Sequence, residues 1–473
     1  MPAVSIAALA GGQVEVDAQT LSSFAAGLEG SLVGRDDPGY EEARAVWNAM
    51  ISKRPALIAR CASAADVKRS LDFATDHGLL FSVKGAGHNI AGSALCEGGL
   101  TIDLSQMRAV DVDLDAGTVR VQPGATLGDL DGATLPHGRA IPVGINSTTG
   151  IAGLTLGGGF GWLSRKHGLT IDSLISADVV TADGRELTAS DDENADLFWG
   201  LKGGGGNFGI VTSFEFRLND AGPDLLCGLI VHPFTDGRGV LETLRGFVAG
   251  ASDDMTMWAV LRDAPPLPFL PEEVHGTKVV VLAFVYAGDP AEGERELAAI
   301  RSYGNPHGEH IGVIPFAGFQ QAFDPLLTPG SRNYWKSHNF ASISDGLVDT
   351  VLEYAASLPS PQSEIFIAQV GGESSRIPAD SAAYPHRDAA FVMNVHTRWE
   401  DAADDARCVG WAREFFDATA GFSTGGVYLN FVSEAEDAAR VTAAYGANYE
   451  KLRQLKAKYD PRNVFRTNLN VRP

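Results

Sequence analysis

Val83-Lys84-Gly85-Ala86-Gly87-His88-Asn89 decides the reading of this chain, because it is a glycine loop holding a histidine and it closes a strand-helix-strand unit. Upstream, Pro55 to Cys61 reads as a strand. Ser63 then caps a helix, with Asp66 three residues on in the reciprocal capping arrangement. Val67, Leu71 and Ala74 share one face of that helix, and Gly78 is its stop. The apolar run Leu79 to Val83 forms the second strand and delivers the chain into the loop. Glycines there let main-chain N–H groups approach a ligand closely, which suits an anionic, phosphate-bearing group.

Further along, Val110 to Leu114 and Thr118 to Val121 alternate in polarity around Asp115-Ala116-Gly117, so a hairpin is expected. The first half is therefore mixed and not a simple doubly wound sheet. Two more glycine clusters, Gly157-Gly158-Gly159-Phe160-Gly161 and Gly203-Gly204-Gly205-Gly206-Asn207-Phe208-Gly209, stand between apolar segments. Any one cluster is best read as a turn, but three together point to an extended ligand. The dinucleotide fingerprint is absent: Gly85-Ala86-Gly87-His88-Asn89-Ile90 lacks the third glycine, which disfavours a nicotinamide dehydrogenase. From about Pro223 the glycine density falls and strands alternate with amphipathic helices, for example Lys278 to Tyr286 and Phe391 to His396, as in a second domain. Near the end Tyr428-Leu429-Asn430-Phe431 reads as a strand, and Pro461 ends a later helix.

At 473 residues, two hydrophobic cores are expected. The net charge of -22 comes with no basic run, which argues against nucleic acid and anionic membrane as partners. Cys61, Cys96, Cys227 and Cys408 show none of the paired spacings of zinc or dithiol sites, so no metal is expected. Neither a secretory leader nor a membrane span is legible, and a cytoplasmic protein is expected.

These segments, with Thr149-Gly150-Ile151-Ala152-Gly153, Leu201-Lys202 and the closing Asn463-Val464-Phe465-Arg466-Thr467-Asn468-Leu469-Asn470, resemble the berberine-bridge-enzyme-like FAD-linked oxidases. Those belong to the vanillyl-alcohol-oxidase superfamily with its PCMH-type FAD-binding domain. The resemblance covers the first half and the last fifth of the chain. It implies a two-domain α+β fold: 1-222 as the first part of the FAD domain, 223-419 as a substrate domain built on an antiparallel sheet covered by helices, and 420-473 returning to the FAD domain. It implies FAD contacts from Lys84, Gly85, Ala86, Gly87, His88, Asn89, Thr149, Gly150, Gly153, Gly157, Gly158, Gly159, Gly209, Ile210, Asn468 and Asn470. Lys84 replaces the arginine of many relatives, keeping charge but losing bidentate phosphate contact.

By the same resemblance His88 is joined to the flavin 8α carbon, a bond for which neutral imidazole is a competent nucleophile. Many relatives carry a second tether, a cysteine to flavin C6; Asn146 stands at that position with no cysteine nearby, so a single bond is expected. Thr149 would lie by the flavin and bear on oxygen access, or else be an ordinary turn residue. Tyr428 and Asn430, two apart on a strand, would share a face over the flavin, with the tyrosine taking a proton from a substrate hydroxyl. Its pKa must then fall, and His396, Arg398 and Tyr334 are candidates to lower it. Glu364 and Gln369, on one expected strand and spaced so that they need not face the same side, could line the substrate cavity, surface exposure being the default for Glu364.

The implied activity is hydride transfer from an alcohol or amine carbon to flavin N5, with O2 reoxidising the flavin to give H2O2. A small-molecule substrate, a secondary-metabolite alcohol, is expected. The alternatives are a flavin-dependent oxygenase of natural-product intermediates, an oligosaccharide oxidase, a dehydrogenase and a non-catalytic flavin-binding protein. The oligomeric state is not legible.

Overall fold

The computed structural model describes residues 2–433 and 438–473. The glycine loop leaves the edge of a four-stranded sheet ordered Ser31–Gly34, Leu57–Arg60, Leu100–Asp103, Phe81–Lys84, whose last three strands are parallel. Helix Ala64–Asp76 makes the crossover, burying Val67, Leu71 and Ala74 as its spacing requires. Ser63 accepts the Asp66 amide, but the reciprocal bond is replaced: the Asp66 carboxylate takes the amides of Glu29, Gly30 and Ala62, tying an earlier loop to the helix. A five-stranded antiparallel sheet follows, ordered Glu186–Ser190, Leu174–Val180, Ile210–Arg217, Thr118–Val121, Val110–Asp113; its last pair is the expected hairpin.

Between Asp224 and Trp399 the chain builds a seven-stranded sheet, antiparallel throughout. Its order is Gly308–Pro315, Asp224–Pro233, Lys278–Tyr286, Met255–Asp263, Glu364–Gln369, Phe391–Trp399, Arg332–Phe340. Successive strand residues point to opposite faces. Met257, Ala259, Leu261, Ile365, Ile367, Met393 and Val395 therefore pack beneath helices Gly237–Val248, Asp345–Ala355 and Asp405–Thr419. The alternate residues Trp258, Phe366, Ala368 and Val392 face the other way, into a cluster with Phe160, Trp162 and Tyr428. Burying each large side chain of this kind contributes roughly 1.5–3 kcal/mol. The two faces thus do different work: one anchors helices, the other closes over the glycine loops.

The chain then returns to the first half. Helix Tyr449–Tyr459 packs Leu452, Leu455 and Tyr459 into the core of the five-stranded sheet, and Val464 and Phe465 enter the core of the four-stranded one. Lys456 and Asp460, fully buried, pair at 2.7 Å. The ammonium also donates to the carbonyls of Asn207 and Phe465, and the carboxylate accepts the amides of Val464 and Phe465. The segment Tyr428–Phe431 is not a strand: Tyr428 is extended and Leu429–Phe431 forms a single 3-10 turn, closed by the Phe431 amide donating to the Tyr428 carbonyl. Among the described residues no helix is long and apolar enough to cross a membrane.

Candidate active site

A cavity of about 350 Å3 lies where the glycine loops of the first half meet the inner face of the seven-stranded sheet. Gly85, Ala86, Gly87, His88 and Asn89 line it from the first loop, and Thr149, Gly150, Gly153 and Gly157 from the second. Gly209, Ile210, Asn468, Tyr428 and Asn430 complete the expected set that reaches it. Two glycines are needed for close approach. A Cβ on Gly150 would stand 2.8 Å from the Ala86 Cβ, and one on Gly157 would stand 2.2 Å from Asn430 Oδ1.

Four expected contacts fall outside this wall. Lys84 is buried, with its ammonium donating to the Ala43 carbonyl at 2.7 Å and facing Asp103 at 3.6 Å, so these contacts brace the strand end. Gly158 and Gly159 turn the chain behind Gly157, where Gly158 packs on Tyr384 and Gly159 on Thr170. Asn470 is also set back from the wall.

His88 faces the cavity on one side. Its ring stacks on Trp47 with centroids 5.2 Å apart, and its Nε2 lies 2.8 Å from Thr148 Oγ1. Withdrawal from water pushes the imidazole pKa down to about 3, which favours the neutral, nucleophilic ring, although His88 is only half-buried and faces the cavity. Asn146 lies on the same wall, and none of the four cysteines lines the cavity.

Tyr428 is 2 % exposed, and its hydroxyl accepts a hydrogen bond from Asn430 Nδ2 at 3.0 Å. Asn430 Nδ2 also donates to the Leu154 carbonyl, which pins the amide across the second loop. The turn therefore brings these two residues together where a strand was expected to do so. Burial raises the Tyr428 pKa to about 12, while Asn430 and the amides of Gly159 and Phe160 pull it the other way. These are the groups that meet the phenol. Of the candidates named from sequence, His396 joins the cavity wall, Arg398 donates to Thr328 behind the Trp47 ring, and Tyr334 accepts from Arg413.

Glu364 is not at the surface; it is 8 % exposed and lines the cavity. Its register places Arg262, Glu364, His396 and Trp335 in one row across four strands. Arg262 meets one carboxylate oxygen at 2.6 Å and His396 Nδ1 the other at 3.2 Å. Burial opposes the charge, yet Arg262, His396 and Arg398 hold the carboxyl down at about 2. Gln369 points to the other face, its side-chain oxygen accepting the Met257 amide. Trp47, Trp258, Trp335, Phe366 and Asn394 also line the cavity. Sequence reading passed over them, although the alternation Trp258/Val260 and Phe366/Ala368 marks one sheet face.

The cavity suits FAD. Its glycine wall leaves a cradle, since a Cβ on Gly153 would meet nothing within 4 Å, and Asn468 Oδ1, buried in the same cavity wall, has no hydrogen-bond partner among the described residues. A trough walled by main chain and closed by an aromatic sheet face, with a histidine at its edge, is the kind of site that a flavoprotein oxidoreductase requires. Comparison narrows the class. The family model for the FAD binding domain matches residues 55–190, and the one described as berberine and berberine like matches residues 427–472. The (R)-6-hydroxynicotine oxidase of Paenarthrobacter nicotinovorans is 31% identical over 466 residues, spanning 94% of this chain and 97% of that protein. Xylooligosaccharide oxidase of Thermothelomyces thermophilus is 29% identical, spanning 92% and 90%. The crystal structure of 6-hydroxy-D-nicotine oxidase from Arthrobacter nicotinovorans superposes with a TM-score of 0.84 at 29% identity, over 94% of this chain and 98% of that one. The chain belongs to the berberine-bridge-enzyme-like family of FAD-linked oxidoreductases.

Proposed function

We propose that this enzyme oxidises a small alcohol or amine of the secondary-metabolite kind, with FAD held by one covalent bond to His88 and dioxygen as final acceptor, giving H2O2. The observation that carries the reading is one cavity with His88 on its first wall and the Tyr428–Asn430 pair against its second. Bound FAD supplies the two-electron acceptor. The main-chain loops at Gly85–Asn89 and Thr149–Gly157 hold and orient it, and the aromatic sheet face excludes water from the reacting carbon. Tyr428 holds the substrate O–H or N–H and takes its proton as the phenolate, a form that burial opposes and that Asn430 with the Gly159 and Phe160 amides partly restores. The absence of a cysteine from the cavity wall supports a single tether.

Acid precipitation of the purified yellow protein, followed by mass measurement of its peptides, tests the attachment. The expected result is a flavin adduct on the peptide containing His88 and none on that containing Asn146; colour released wholly into the supernatant would refute it. His88→Ala is expected to fold, to bind FAD less tightly and to show a lower reduction potential, and an unchanged potential would count against the role. A second reading, oxidation of an oligosaccharide, is favoured by the full-length similarity to xylooligosaccharide oxidase. Peroxide release with xylobiose but not with aromatic or polyketide alcohols would select it.

A further inference from the structure

His88 is held by Thr148 and, through it, by Asn146. Its Nε2 lies 2.8 Å from the Thr148 hydroxyl. That hydroxyl has a single proton, which it donates to Asn146 Oδ1 at 2.7 Å. The Asn146 amide is fixed in orientation at both ends. Its Oδ1 also accepts the Thr148 backbone amide at 3.0 Å, a group that can only donate. Its Nδ2 donates at 3.2 Å to the Leu327 carbonyl, a group that can only accept. Thr148 therefore presents a lone pair to His88, and the hydrogen between them belongs to Nε2. A neutral imidazole protonated there keeps its lone pair on Nδ1. Nδ1 meets Thr149 Oγ1 at 3.5 Å, too far for a strong bond, and Thr149 lines the cavity whereas Thr148 does not. The ring plane is fixed as well: Trp47 stacks on it and donates through its indole N–H to the same Leu327 carbonyl at 2.8 Å.

We propose that Asn146 and Thr148 are positioning residues for flavin attachment, holding His88 as the Nε2–H tautomer so that Nδ1 is the nitrogen presented to the 8α carbon of FAD. The proposal rests on the single-tether reading above. In the attachment the Nδ1 lone pair forms the N–C bond, the 8α carbon gives up one proton and the imidazole gives up its Nε2 proton. Two electrons pass into the flavin ring and from there to dioxygen, which with the two protons leaves as H2O2. Asn146 thus has a use of its own at the position where relatives carry the second tether.

Two measurements on the holoenzyme test this. The flavinyl peptide is cut from 15N-histidine-labelled wild-type protein, and long-range 1H–15N correlation identifies the nitrogen coupled to the 8α protons. Nδ1 is expected, and Nε2 would overturn the proposal without any mutation. Thr148→Val, which keeps the side-chain shape, is then compared with Thr148→Ser for the rate at which flavin becomes resistant to acid release. The valine variant is expected to attach FAD roughly 10-fold or more slowly while total bound flavin stays stoichiometric, and the serine variant to recover the rate. Attachment in Thr148→Val at the wild-type rate would also overturn it. Wild-type protein that releases all its flavin into acid would instead defeat the covalent reading itself, so the two failures are distinguishable.

Discussion

Tyr428 stands at the balance of two opposed effects. Burial pushes its phenol up to about 12, and three donors, Asn430 with the amides of Gly159 and Phe160, favour the phenolate. In the proposed role Tyr428 accepts a proton only when ionised, so the rate of anaerobic flavin reduction is expected to climb with pH toward that value. Tyr428→Phe should flatten the climb and lower the rate about 10²- to 10⁴-fold, the usual worth of a positioned acid or base. Asn430→Ala removes one donor and should move the profile further upward; a downward move would show that the amide does not stabilise the phenolate. Glu364 teaches a related lesson. A lone glutamate in an apolar strand reads as exposed, and nothing in the linear pattern reveals that Arg262 and His396 occupy the same row once the strands pair. Charges that satisfy each other across strands are invisible until register is known.

At the level of elements, the parts legible in the sequence were those with local causes. The crossover helix follows from its apolar spacing and Ser63, and the hairpin from its alternation around Asp115-Ala116-Gly117. The strand Lys278–Tyr286 falls where its β-branched run places it. Tyr428–Phe431 misled because four residues read as a strand close instead into one 3-10 turn, which local sequence does not distinguish. The anchoring of the last segment was equally hidden: Lys456 and Asp460 look like a surface pair four apart, yet they are wholly buried and hold Asn207 and Phe465. Removing one member of a buried pair strands the other, a loss of about 3–5 kcal/mol. Asp460→Asn is therefore expected to lower the urea midpoint strongly and to loosen the closing segment that carries Asn468, read as flavin lost from a His88→Ala, Asp460→Asn double variant relative to His88→Ala alone. An unchanged midpoint would remove the pair from any anchoring role.

Across the whole molecule, the two halves that enclose the cavity meet through a buried acid. Asp131, on helix Leu127–Thr134, accepts a hydrogen bond at 3.2 Å from Gln320, on helix Phe316–Gln321 beyond the start of the seven-stranded sheet. Gln320 also donates to the Gly144 carbonyl, which lines the cavity, so this contact couples the interface to the flavin site. Burial raises the Asp131 pKa to about 7, with the Gln320 bond opposing it. The unfolded value is near 3.9, so the folded state binds this proton more tightly than the unfolded chain does. The stabilisation is complete below the unfolded pKa and is lost as pH rises through about 7, where the buried carboxyl must ionise or the interface must open. Once pH is well above that point the loss reaches at most about 4 kcal/mol, since each tenfold difference in proton affinity between the two states is worth about 1.36 kcal/mol. Asp131→Asn keeps the shape and a polar contact to Gln320 but has no proton to lose. Urea unfolding from pH 5 to 8.5 should show wild-type stability falling relative to the variant, with the variant the more stable at the alkaline end. Parallel curves across this window would mean that Asp131 is solvated in solution and that the two halves are not coupled through it.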